Sequence, residues 1–212
     1  MLAMNKAKRQ PSAPRRSRMR MPHISIPNWI FGTIAVLFLL VGGYLLLLTT
    51  SPIIAPHFTK PITVATLAKP AAKDNRIIIP KIGVNIPYGT NGKLALDRGA
   101  WWRYPDHGNP EKGGNFVVAA HRFSIQPTPG GTVEKSPFFH IDKLALGDQI
   151  LADYQGKRYN YKITKKFDVK PTSVEIEAPT EDARLTLYSC DLGGAKTGRV
   201  VIVAEKQGEV AS

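Results

Sequence analysis

The chain has 212 residues with a single Cys, 18 Gly and 17 Pro, enough for one ordinary domain plus appendages. One Cys excludes an intramolecular disulfide framework and a Cys-rich zinc site, and so many helix breakers speak against an all-helical protein. The net charge of +13 would suit nucleic acid only if it were spread over the folded part, and it is not.

Seven positive residues (Lys6, Lys8, Arg9, Arg15, Arg16, Arg18, Arg20) lie in the first 20 positions, and no acid occurs before Asp74. From Lys60 onward, 22 positive and 16 acidic residues leave only +6. Residues 1–29 therefore form a basic, Pro-containing tail, expected to be disordered. Residues 30–50 (IFGTIAVLFLLVGGYLLLLTT) carry no charge and are long enough to cross the roughly 30 Å hydrocarbon core as a helix. The run exceeds the 7–15 apolar residues of a cleaved signal peptide, and no A-x-A site follows it. It also has no polar face, as a surface helix would. An uncleaved anchor is expected, with the basic flank holding the N-terminus in the cytoplasm and everything after Thr50 outside. Residues 51–73, with prolines at 52, 56, 61 and 70, are expected to be an extended stalk.

The folded unit is expected over 74–208. Apolar runs of five or six residues recur there, at 76–80, 115–120, 149–154, 158–163, 184–188 and 199–203, rich in β-branched and aromatic residues. Gln155-Gly156 between two of these runs marks a hairpin, and the helical candidates are short, near 94–100 and 137–144. This pattern predicts an all-β barrel or sandwich with a few short helices.

An odd Cys in an exported chain flags a reactive thiol, although a buried structural Cys reads equally well here. Alternation puts Leu185 and Leu187 on one side of their strand and Thr186, Tyr188 and Cys190 on the other. A nucleophilic thiol needs a base or positive neighbour, since a free Cys has a pKa of about 8.5. His23 and His57 fall in the tail and stalk, and His140 sits among Phe138, Phe139 and Ile141 as a packing residue would. His121, at the end of FVVAA, is the best placed, and spacing alone does not separate it from His107. Arg199 opens the strand after the loop 191–198, so a hairpin would bring it level with Cys190. Its fixed cationic fork suits an oxyanion.

These residues together resemble the sortase family of membrane-anchored Cys transpeptidases, chiefly of Gram-positive bacteria. The resemblance rests on IPKIGVNIP (79–87), GGNFVVAAHR (113–122), KLALGDQI (143–150) and TLYSC (186–190), with Arg199 nine residues after the Cys. Two positions depart from the usual pattern: Ala120 stands where GHR has Gly, and Ser189 where TLxTC has its second Thr. The resemblance implies a closed eight-stranded barrel with a surface groove. It implies Cys190 as nucleophile, His121 as general acid/base and Arg199 as stabiliser of substrate and oxyanion. Ser189 would add a hydrogen bond, and Tyr188 would line the groove or pack as a strand aromatic. The implied reaction cleaves an LPxTG-type sorting motif between Thr and Gly, holds the acyl group as a thioester and passes it to an amine on a cell-wall precursor or a pilin.

No cofactor or metal is expected, because the acids are dispersed, and no nucleic acid. The implied partners are surface proteins bearing the motif, the amine acceptor, and membrane lipid around the helix. L,D-transpeptidases place His and Gly shortly before the Cys and Arg shortly after, which Tyr188-Ser189-Cys190 and the distant Arg199 do not match. A secreted Cys protease and a non-catalytic tethered β-domain remain as alternatives. Without a second apolar span or a lid motif, a housekeeping-like or class D/E-like enzyme is favoured over the pilin-polymerising type.

Overall fold

The computed structural model describes residues 27–210, so the basic tail falls almost wholly outside the described residues. Helix α1, Asn28–Ile54, has 27 residues and is about 40 Å long, sufficient by length and composition to cross a membrane. It runs four residues past the apolar stretch and through Pro52, into the expected stalk. Pro52 has no N–H to offer the carbonyl of Leu48. The Ser51 hydroxyl donates to that carbonyl instead, at 2.9 Å, so the helix continues. Short 3-10 turns at Ala55–His57 and Val64–Thr66 follow.

The rest of the described residues are built on nine strands: β1 Arg76–Ile79, β2 Val84–Gly89, β3 Ala100–Trp102, β4 Gly108–Asn109, β5 Gly113–Ala120, β6 Gln149–Tyr154, β7 Lys157–Val169, β8 Arg184–Asp191 and β9 Gly194–Val210. Eight of them follow the order β3-β2-β1-β6-β7-β9-β8-β5, and β3 also pairs with β5, which closes a barrel as expected. β4 is a two-residue addition on β5 outside the ring. Among the described residues only β2–β3 and β5–β8 are parallel. The expected hairpin is there: Gln155 (φ 49°) and Gly156 (φ 82°) both take positive φ between β6 and β7, as a tight two-residue turn requires.

Strand alternation divides the barrel. Ile77, Ile79, Phe116, Val118, Tyr161, Ile163, Leu185, Leu187 and Ile202 point inward, all 2% exposed or less. A second cluster of Val117, Ala119, Tyr188, Val201 and Val203 lies on the outer face of β5, β8 and β9, with Val169 and Ile176 packed on it.

The helices differ in part from expectation. The 94–100 candidate forms α2, Gly92–Arg98. The 137–144 candidate contributes only a 3-10 turn at Ile141–Lys143, and an unforeseen α3 forms over Pro129–Glu134. The cause is capping: Thr128 accepts from the Gly131 N–H at 3.1 Å and Pro129 takes the first turn, whereas the Phe138 and Ile141 side chains turn into the core.

Candidate active site

The outer face carries the candidate residues because of register. On β8, Leu185 and Leu187 face the interior while Tyr188 belongs to the outer cluster, so alternation sends Cys190 outward. On β9, Val200 and Ile202 face inward, which sends Arg199 outward. Cys190 and Arg199 are direct partners across the antiparallel β8–β9 pair, just before the register shift at Cys190/Asp191. On β5, Ala119 pairs with Tyr188 in parallel, so two further residues along each chain bring His121 level with Cys190. His121, Cys190 and Arg199 thus form one row across three neighbouring strands about 4.8 Å apart, with the Cys in the middle.

Cys190 is a half-buried free thiol. No hydrogen bond joins it to His121 or Arg199 among the described residues. The Arg199 guanidinium instead donates from Nη1 to the carbonyls of Ala195 and Gly198, both at 2.9 Å. His121 Nε2 lies 3.7 Å from Asp97 Oδ1 of α2. Topology explains that neighbour: Ala100 pairs with Ala120 in antiparallel fashion, so the chain before β3 runs beside the chain after β5. A thiol between an imidazole and a guanidinium is suited to nucleophilic attack on a carbonyl whose oxygen gains negative charge.

Ser189 and Tyr188 fall into different surroundings. Ser189, 2% exposed, shares the inward side of β8 with the leucines, and its hydroxyl donates to the Cys190 carbonyl at 3.1 Å. Tyr188 is 9% exposed within the outer cluster, and its phenol donates to the Glu177 carboxylate. Burial, followed by that hydrogen bond, pushes its phenol well above the ordinary tyrosine value.

The other histidines separate clearly. His107 precedes β4, whose Gly108 pairs with Gly114, at the far end of β5 and roughly 20 Å along the strand from Ala120. Its ring stacks on Tyr104 and its Nδ1 donates to the Glu177 carbonyl at 2.6 Å. His140 is 9% exposed, with Nε2 2.9 Å from the Pro52 carbonyl, and burial lowers its pKa.

Asp97 and Glu177 escape sequence reasoning, and Arg122 enters it only as the last residue of the GGNFVVAAHR stretch. Arg122 follows His121, is 4% exposed and donates to Asp142 at 2.7 Å. A cavity of about 620 Å³ opens beside Arg199, with Arg122, Asp168, Lys170 and Asp191 in its wall. A second of about 460 Å³ lies between the Pro52–Pro61 stretch and β2, away from the thiol. Among the described residues no group of three or more His, Cys, Asp or Glu side chains could hold a metal ion.

Known proteins share this architecture. A stretch of the sortase SrtE1 of Streptomyces coelicolor is 34% identical over 109 residues, 48% of this chain and 28% of that protein. Sortase A of Listeria monocytogenes is 32% identical over 92 residues, 43% of this chain and 38% of that protein. The matched stretches therefore span well under half of either relative. The solved structure of Listeria monocytogenes sortase A superposes with a TM-score of 0.54 at 28% identity, over 66% of this chain and 92% of that one. A family-wide sequence profile described as Sortase domain matches residues 77–207, well over half of the chain and nearly the whole barrel. With its closed barrel and its Cys-bearing strand inside that match, the chain belongs to the sortase family.

Proposed function

We propose that the protein is a cysteine transpeptidase that cleaves an LPxTG-type sorting motif between Thr and Gly and transfers the acyl part to an amine at the cell surface. The observation that carries this reading is the row of His121, Cys190 and Arg199 on one outward face, in a chain of the sortase family.

The Cys190 thiolate attacks the Thr carbonyl carbon, and Arg199 turns from the Ala195 and Gly198 carbonyls to the new oxyanion. Collapse of that intermediate breaks the C–N bond, and His121 as imidazolium protonates the leaving glycine amine. The acceptor amine then attacks the thioester and gives its proton to His121. The C–S bond breaks and the thiolate returns. Ser189, bonded to the Cys190 carbonyl, holds the backbone beneath the nucleophile. Tyr188 contributes through the floor of the groove.

Residues 1–29 would be the cytoplasmic tail, 30–50 the membrane span, 51–73 the connection and 74–208 the extracellular catalytic domain. The basic flank and the length of α1 support that topology. The substrates are surface proteins bearing the motif and an amine on a cell-wall precursor or pilin. Lipid surrounds the helix.

The full chain in detergent micelles, incubated with an LPxTG-type peptide and triglycine and read by mass spectrometry, tests this. Cleavage at Thr-Gly with a triglycine adduct, absent in Cys190→Ala, is the expected outcome. Cleavage that yields only the free acid makes the protein a protease. An unreactive thiol with no cleavage across a varied peptide panel makes it a binding domain.

A further inference from the structure

The segment between β7 and β8 leaves the barrel at the level of the active row and returns at the opposite end. Val169, the last residue of β7, is the partner of Arg199, whereas β8 restarts at Arg184, about 20 Å below Cys190. Residues 170–183 must therefore descend the outer face from the level of the thiol. The 3-10 turn Val174–Glu177 lies on this path, with Ile176 packed on the outer cluster and Val174 71% exposed.

Side chains from separate parts of the barrel hold three consecutive residues of this segment, Ile176, Glu177 and Ala178. Asn115 of β5, 2% exposed, donates from Nδ2 to the carbonyls of Ile176 (3.1 Å) and Ala178 (2.8 Å). Thr186 of β8 orients it by donating to Asn115 Oδ1 at 2.6 Å. His107 Nδ1 donates to the Glu177 carbonyl. The Glu177 carboxylate, on a residue 7% exposed, accepts from the Tyr188 phenol and from Arg103 Nη2 at 3.2 Å. Arg103 in turn lies over Trp101, 4.3 Å from the ring. A carboxylate buried to this degree is costly unless each oxygen is bonded, and here both are. Such an arrangement fixes geometry rather than adding much net stability.

We propose that Glu177 is a positioning residue for the peptide groove. It ties the 170–183 wall to Tyr188, two residues before the nucleophile on the same face of β8, and so sets the wall's height above the active row. The proposal rests on the transpeptidase reading. A peptide laid across Cys190 on this face must lie along the wall, so loosening the wall weakens peptide binding more than it alters the reacting groups.

The experiment uses the full chain in detergent micelles and compares wild type with Glu177→Gln and the milder Tyr188→Phe. Hydrogen exchange of the 170–183 amides, alkylation of Cys190 by iodoacetamide and the kinetics of LPxTG-type peptide cleavage are measured together. Loss of one charge-assisted bond predicts faster exchange confined to 170–183, KM raised about tenfold with kcat within about twofold, and an unchanged alkylation rate. Unchanged exchange in both variants overturns the tie. Faster exchange with kcat lowered and KM unmoved, or with slower alkylation, also overturns it, because the residue would then act on the nucleophile or on the fold at large. A wild-type protein that cleaves no peptide overturns the transpeptidase reading, and the groove role with it, whatever the exchange data show.

Discussion

The two faces of β8 differ in what they ask of a side chain. Inward, Leu185 and Leu187 belong to the hydrophobic core cluster and are fully buried. Outward, Thr186 and Tyr188 are also buried, yet each donates a hydrogen bond to a polar partner brought from elsewhere in the chain. The inner face needs volume and shape, which many sequences supply. The outer face needs particular groups at particular heights, and the candidate nucleophile stands at its end. One strand thus joins a tolerant surface to an exacting one.

The independence of the two faces can be broken by substitution. Leu187→Ala should cost about 2–5 kcal/mol of stability through the cavity it leaves. Thermal unfolding would detect this, while cleavage below the lowered Tm should stay near wild type. If the folded variant loses activity, the faces are coupled. Arg199→Ala should do the reverse, with kcat down about 10²–10³-fold and Tm little changed, as for loss of one oxyanion donor. Lys at that position should recover only part of the rate, because it lacks the planar fork.

Alkaline pH probes both faces at once. Burial raises the phenols of Tyr161 inside the barrel and of Tyr188 outside it, the latter helped by Glu177. Their unfolded value is about 10, so their contribution is complete below that pH and is lost as pH climbs toward the raised folded values. Each should cost about 1.4 kcal/mol per pH unit above 10, seen as a steep fall of Tm. Tyr161→Phe and Tyr188→Phe should each flatten that fall. If only one does, that face dominates the unfolding. The smallest effect is expected at Asp97→Asn, about threefold in kcat, since a half-exposed pair at 3.7 Å is worth little. A loss beyond tenfold would make the Asp97 carboxylate part of the active row.

Much of this was legible locally. Period-two alternation separated Leu185 and Leu187 from Tyr188 and Cys190, and an eight-residue loop implied that Cys190 and Arg199 share one end of a hairpin. The choice between His121 and His107 was not legible, because it depends on β5 lying parallel to β8 and antiparallel to β3, pairings between distant segments. Asp97 and Glu177 left no local signal for the same reason: each reaches the site through a neighbour far away in sequence. α3 did leave one, since Thr128-Pro129 is a good helix start. The apolar residues of 137–144 suggested a helix where Phe138, Ile141 and Leu144 serve the core.

The place of β9 in the sheet has a consequence for biosynthesis. It is the last strand in chain order among the described residues, yet it lies between β7 and β8. A ribosome therefore delivers the imidazole first, the thiol much later and the guanidinium last, on the strand that completes the ring. Until β9 has emerged, β7 and β8 have unfilled edges toward each other and Cys190 has no Arg199 beside it. On the proposed reading, partly made chains carry the candidate nucleophile without its candidate partner Arg199, and the row of three is complete only once β9 closes the barrel.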